Sequence, residues 1–171
     1  GNLEKADQLI AWMDDQQWII RGHTLLWPAW RRFPPEMKKL EDQPEKLRQV
    51  IHNHVRKLVS RYKGRIAAWD VVNEPYVQND LIELLGESII DECFIIAHET
   101  DPEAILMIND FGLLTGTSPD TERIQYYLDL VERLRSRGVP IHGMGLQGHF
   151  AGSVPSIDHI LSVIDRFAEA G

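Results

Sequence analysis

The sequence predicts a parallel α/β fold, and two observations carry that prediction. Helical and extended patterns alternate along all 171 residues, in units of about 35–50 residues. The extended stretches are short and apolar on both faces, as strands buried between other layers must be. A third observation bears on chemistry. Polar residues gather where each strand ends, the rim at which barrel enzymes place their catalytic groups.

Each element follows from local pattern. Leu3, Ala6, Ile10 and Met13 recur at helical spacing, so a helix precedes Gln16. Residues 18–27 (WIIRGHTLLW) are rich in aromatic and branched side chains and read as a strand. Residues 28–35 hold three prolines and read as a loop. Pro44 suits the first turn of a helix, where its missing N–H is not needed. Leu47, Val50, Ile51, Val55, Leu58 and Val59 form the apolar face of that helix, and Gly64 closes the unit. Residues 66–72 are the next strand. A helix over residues 82–98 follows, with Ile89, Ile90, Phe94 and Ile96 inward, and then a strand over 104–108. Ser118 or Asp120 is placed to cap the next helix. Its inward positions are Ile124, Leu128, Val131 and Leu134, and Gly138 stops it. Residues 139–146 form a fourth strand. Ser156 caps a last helix with Ile160, Leu161, Ile164 and Phe167 inward and Gly171 as its C-cap. An open doubly wound sheet fits this pattern as well as part of a barrel does. Four such units do not close an eight-stranded barrel, which takes about 250 residues.

Composition removes several function classes. The net charge is −8, which argues against nucleic acid and anionic membranes and suits a neutral polymer. No apolar run approaches a membrane span. Cys93 is the single cysteine, so no intrachain disulfide forms. No signal peptide is visible, and the chain begins at Gly1 rather than Met. No repeat or linker divides it. The glycines of GMGLQG (143–148) spell GxGxxG but lie within a strand rather than opening a helix after one, and no GxxxxGK[ST] occurs, so nucleotide binding has no support. The seven His residues lack HExxH spacing, and His52 and His54, two apart on a helix, diverge. No metal and no cofactor is expected. A serine triad lacks its GxSxG.

Four strand-end groups remain: HTLLW (23–27), WDVVNEP (69–75), IND (108–110) and GLQGH (145–149). Each has an ordinary reading. Asn and Asp often do no more than shape turns, and a lone His is usually a hydrogen-bonded structural residue. Four such groups on one rim are harder to assign to chance. Glu74 is the sharpest candidate. Glycosidic bonds break through an oxocarbenium-like transition state that needs two carboxyl groups, one of them a proton donor. Asn73 beside it could bind a sugar 2-hydroxyl. Trp27 and Trp30 could offer flat apolar faces to sugar rings, although core packing is an equal reading for Trp30.

At these four strand ends the sequence resembles glycoside hydrolase family 10, the retaining endo-β-1,4-xylanases. RGHTLLW resembles that family's third-strand motif, WDVVNEP its fourth, LMIND its fifth and GMGLQGHF its sixth. The resemblance runs through the whole chain in the same order. It implies a partial (β/α)8 TIM barrel, roughly strands 3 to 6 with their helices, and makes residues 1–171 an incomplete catalytic domain. It implies that Glu74 is the acid/base and Asn73 its sugar-binding neighbour. His23 and Trp27 would line the subsite of the cleaved sugar. Gln147 and His149 would lie beside the nucleophile, with His149 hydrogen-bonded to it as part of the catalytic set. It also implies a xylan-like polysaccharide partner and secretion to the extracellular space or periplasm.

Two departures touch specificity. Pro28-Ala29-Trp30 stands where the family usually has His-Ser-Gln, and Phe111-Gly112 where it often has Tyr-Asn. A third touches the reaction. The family's nucleophile lies in a Thr-Glu-Phe/Leu-Asp motif on the seventh strand, and no such motif occurs here. The chain by itself is therefore expected to be inactive, and its open sheet edges to invite self-association. The alternatives are another retaining barrel glycosidase, such as a β-glucanase or cellulase, and a non-catalytic carbohydrate-binding relative.

Overall fold

The computed structural model describes residues 3–150, 152 and 154–170. Among them, β1 (Arg21–Leu26), β2 (Ala68–Asn73), β3 (Ile105–Asp110) and β4 (Gly143–Leu146) form one sheet. All neighbours are parallel, and the spatial order is β1-β2-β3-β4. Each strand thus lies beside the one before it in the chain. A doubly wound sheet reverses its order at a switch point, and no reversal occurs here. This is the strand order of an arc of a (β/α)8 barrel.

The helices are α1 (Glu4–Asp15), α2 (Pro44–Arg61), α3 (Asp80–Leu85), α4 (Ser88–Thr100), α5 (Glu122–Ser136) and α6 (Ile157–Glu169). Helix α2 starts with Pro44 in its first turn, as the sequence predicts. It buries Leu47, Ile51, Val55 and Val59, one residue per turn along a single stripe. That stripe packs on the sheet and on α4, where Ile89, Cys93, Phe94 and Ala97 are fully enclosed. The centres of β2 and β3 complete this core with Val71, Val72, Leu106 and Ile108.

Several boundaries differ from expectation, each for a local reason. The first strand begins at Arg21 rather than residue 18. Gln17 turns the chain with φ at 56°, and Trp18 folds back edge-on against Trp12 of α1, 4.9 Å between ring centroids. The loop at residues 28–35 contains one 3₁₀ turn, Trp30–Arg32, and runs into a second, Pro35–Leu40. The helix expected over residues 82–98 is two helices. Gly86 separates them with φ at 82°, a conformation that favours glycine. Thr121, not Ser118 or Asp120, caps α5 by accepting from Ile124 N. Ser118 Oγ instead accepts from Asp120 N, and Asp120 pairs with Arg166 of α6. The last strand starts at Gly143: Pro140 has no N–H to donate, and Leu106 N donates to the His142 ring at 3.0 Å instead of to a backbone carbonyl. Ser156 does cap α6. On that helix Val163 is the enclosed residue, whereas Leu161 and Ile164 are exposed. The apolar face of α6 is wider than β4 and α5 cover. Gly171, the expected C-cap, lies outside the described residues.

Strands β2 and β3 both run further than expected, and this matters for the site. Asn73 and Asn109 become paired ladder residues, and Gly145 of β4 lies opposite Asn109. The same close approach of strands appears lower in the sheet. A methyl group on Gly22 would sit 2.2 Å from the ring of Trp69 on β2. Gly22→Ala is therefore expected to destabilise the fold by about 1–3 kcal/mol, seen as a lower urea midpoint. An unchanged midpoint would mean that the Trp69 ring does not lie over this backbone.

Candidate functional site

The rim of the sheet carries a continuous hydrogen-bonded network that begins at Asp70. This carboxyl group is buried in the middle of β2, where it needs donors. Both come from β1. Arg21 donates from Nε and Nη2 to Oδ1 at 2.9 and 2.6 Å. His23 Nδ1 lies 2.9 Å from Oδ2. With Nδ1–H as the donor to the carboxylate, Nε2 is left as the free ring nitrogen. Thr24 Oγ1 donates to the Asp70 carbonyl at 2.7 Å.

Arg21 passes the network on. Its Nη2 also reaches Asn109 Oδ1 at 3.2 Å, and Asn109 Nδ2 donates to Asn73 Oδ1 at 2.8 Å. Gly145 leaves room for this crossing. A Cβ there would meet Arg21 Nη2 at 2.3 Å and Asn109 Oδ1 at 2.5 Å. Gln147, just past β4, adds a second donor to Asn73 Oδ1 at 3.2 Å. The Asn73 amide nitrogen is buried with no acceptor among the described residues. A buried amide donor is normally satisfied, so this one is available to a ligand.

Glu74 follows β2 in a left-handed backbone conformation, φ 56°. Such strain persists only where the surroundings hold it. Its N–H donates to Asn109 O at 2.8 Å, and its carbonyl accepts from Gln78 N at 3.1 Å. The side chain is buried, 7% exposed. Oε1 accepts from Gln147 Nε2 at 3.1 Å and Oε2 from Gln78 Nε2 at 3.2 Å. Both donors are neutral amides. Arg31 acts one step further out, donating from Nε to Gln78 Oε1 at 3.0 Å.

Asp110 closes β3 and belongs to a different set. It is fully buried and accepts from Arg123 Nε and Nη2, the Tyr127 hydroxyl and Phe111 N. Burial pushes its carboxyl above the ordinary carboxylate value, against the pull of these donors. Burial likewise pushes the Tyr127 phenol far up, so it remains a donor. Asp110 ties β3 to α5 and shares no hydrogen bond with Glu74.

The expected site residues are brought together unevenly. Glu74, Asn73 and Gln147 form one cluster, and His23 joins it through Asp70, Arg21 and Asn109. Trp27 stands edge-on to His23, 6.0 Å between ring centroids. One face of Trp27 is covered by the Arg32 guanidinium, 3.7 Å above the ring centroid. Trp30 turns toward Phe33 and the Lys38 ammonium instead, and its backbone N–H bonds to Asp80. His149 is exposed and has no hydrogen-bond partner among the described residues. Sequence reasoning gave no role to Arg21, Asp70, Asn109, Gln78 or Arg31. A signal did exist for one pair: an acid inside an apolar strand calls for a cation, and Arg21 opens the strand before it. Among the described residues no group of three His, Cys, Asp or Glu side chains could hold a metal ion.

Known proteins resemble this chain in sequence and in fold. The family model described as glycosyl hydrolase family 10 matches residues 2–171. An endo-1,4-beta-xylanase 2 of Claviceps purpurea is 38% identical over 158 residues, which is 88% of this chain and 47% of that protein. A GH10 endoxylanase from a sugarcane soil metagenome superposes with a TM-score of 0.87 at 34% identity, over 99% of this chain and 50% of that one. Xylanase 10B of Thermotoga petrophila, solved in complex with xylobiose, gives 0.87 at 27% identity, over 99% and 52%. This chain thus spans about half the length of these relatives.

The Asp70 node yields a direct test. The side chains of Arg21 and His23 are 45% and 47% exposed, which weakens the pairing relative to a fully enclosed one. Asp70→Asn should still cost about 1–3 kcal/mol, because it leaves Arg21 half-buried beside a neutral amide. A thermal midpoint equal to that of the wild type would remove Asp70 as the anchor of the network.

Proposed function

Because the chain belongs to glycosyl hydrolase family 10, we propose that its rim is the acid/base side of a retaining endo-β-1,4-xylanase site. Residues 1–171 would be part of that enzyme's catalytic barrel. One observation carries the reading. Both carboxyl oxygens of Glu74 are held by amide N–H groups, and among the described residues no cation pairs with them. A carboxyl group held in this way is positioned yet not neutralised by an ion pair, so it can give up and regain a proton during catalysis.

In this reaction Glu74 protonates the glycosidic oxygen as the bond to the leaving sugar breaks. It then takes a proton from the water that attacks the glycosyl–enzyme intermediate. Asn73 offers its free N–H to a sugar hydroxyl near the reacting carbon, where a hydrogen bond strengthens in the transition state. His23 and Trp27 line the same subsite, with His23 oriented by Asp70. Gln147 bridges Asn73 and Glu74 and keeps the two in register. His149 is assigned to the nucleophile's side of the cleft. Its exposure is compatible with a partner group that these residues do not supply. Trp30 has the weakest case, because its ring is engaged by Phe33 and Lys38.

A retaining mechanism also needs a nucleophilic carboxylate about 5–5.5 Å from the first. Asp110 does not fill that role, since Arg123 and Tyr127 hold it in another set. The 171 residues alone are therefore proposed to be inactive, and activity to belong to the longer protein. That protein would act outside the cell, because a polysaccharide does not cross a membrane. Expressing the longer coding sequence and assaying xylan beside mixed-linkage glucan tests this reading. Glu74→Gln should lower kcat on xylan by about 10²–10⁴-fold. Turnover by the 171-residue chain, or a Glu74→Gln enzyme of normal kcat, would sink it.

Self-association of the chain through its sheet edges is a second proposal. Strands β1 and β4 are outermost among the described strands, and unpaired strand edges recruit other chains. Leu161 and Ile164 add exposed apolar surface on α6. Light scattering should find dimers or larger species, and a monodisperse monomer at high concentration would contradict it.

A further inference from the structure

The cations around the rim differ in what they face. Arg21 is paired with Asp70, Arg123 with Asp110, and Lys38 with Glu41 at 2.6 Å. Arg31 has a neutral partner, the Gln78 amide. Arg32 has no carboxylate within ion-pair distance among the described residues. Its guanidinium carbon lies over the Trp27 ring, 3.7 Å from the ring centroid. The chain carries a net charge of −8, so an arginine without a carboxylate is not explained by a shortage of acids.

Stacking on an indole has a geometric consequence. It holds the planar guanidinium by its face and fixes its plane. The N–H groups along its edge have no hydrogen-bond partner among the described residues and keep the fork arrangement that suits a carboxylate. Trp27 in turn is set by His23, whose ring stands edge-on to it and is tied to Asp70. Arg32 is thus held above the subsite assigned to the cleaved sugar and its neighbour. Next to it in the chain, Arg31 carries an uncompensated charge and reaches Glu74 through Gln78. Together they make a cationic pair at one edge of the rim of an acidic protein.

We propose that Arg32, stacked on Trp27 and flanked by Arg31, is a specificity subsite for a carboxylate-bearing sugar: a uronic acid branch on the polysaccharide. This rests on the carbohydrate-binding reading of the rim. The guanidinium edge accepts the uronate as a bidentate ion pair, while the backbone sugars lie along the amide cluster of Asn73, Glu74 and Gln147. The substrate class so defined is an acidic, glucuronic acid-decorated xylan rather than a plain one.

The test is binding to the 171-residue chain by NMR titration, with two xylo-oligosaccharides of equal length. One carries a glucuronic acid branch and the other does not. The decorated ligand should bind about tenfold more tightly, as one charge-assisted contact gives. Raising the salt concentration should shrink that ratio. Arg32→Gln should bring it close to one, and Arg32→Lys should keep only part of it, because a lysine cannot form the fork. Circular dichroism checks that each variant is folded. Equal binding of the two ligands by the wild type would overturn the proposal and leave the xylanase reading standing. A preference that survives in Arg32→Gln would also overturn it. Failure to bind the decorated ligand would likewise overturn the subsite proposal, whereas the xylanase reading stands or falls on the activity of the longer protein.

Discussion

A carboxyl group enclosed in a parallel sheet must be met by donors, and the way Asp70 is met organises everything above it. Arg21 and His23 are two apart on β1, so both side chains lie on one face of the sheet, where both reach Asp70 of the neighbouring strand. One grips each carboxyl oxygen. His23 is thereby turned toward Trp27, and Trp27 supports Arg32. Arg21 has a further N–H, which reaches Asn109 and through it Asn73. Both halves of the rim depend on one buried acid. The crossing also depends on what is missing at position 145. A side chain there would collide with Arg21 and Asn109, so the glycine is required by packing rather than by backbone conformation.

The three buried acids of this region have different surroundings, and the differences sort their roles. Asp70 and Asp110 each face an arginine and a further ring or hydroxyl donor. Carboxyl groups held this way act as structural brackets between neighbouring elements. Glu74 faces only amides and lies at the end of its strand in a strained backbone. Its position is set by hydrogen bonds from neutral amides rather than by an ion pair among the described residues, an arrangement that suits proton transfer. The unsatisfied amide of Asn73 lies beside it. Strain and an orphan donor are both unfavourable in the folded chain alone, and their coincidence at one point is characteristic of a binding site.

Much of this was legible along the chain. The stripe of Leu47, Ile51, Val55 and Val59 announces α2 because helical burial repeats with the turn of the helix. Glu74 and Asn73 stand out because polar residues end an apolar run. The breaks were less visible. Gly86 splits a pattern that is apolar on both sides of it, and apolar periodicity is blind to a sign change in φ. Thr121 took the cap from Ser118 and Asp120 because those two were engaged in a turn and in an ion pair with α6. On α6 the sequence shows how wide the apolar face is and not how much of it a neighbour covers, so Leu161 and Ile164 stay exposed.

The sequence by itself determined the alternation of strand and helix, the parallel sheet and the four rim motifs, because each depends on side-chain periods within one element. Tertiary structure decided which rim residues meet. Gln147 reaches Glu74 across 73 positions, and Arg21 reaches Asn109 across 88. Both contacts follow from strand register, which shifts at irregularities in β1 and β2. A one-residue slip would send each of these side chains to the other face. The place of Arg32 over Trp27 was likewise settled only by the 3₁₀ turn that follows β1. Local pattern carries the order of the elements, whereas chemistry between them depends on distances that no local pattern encodes.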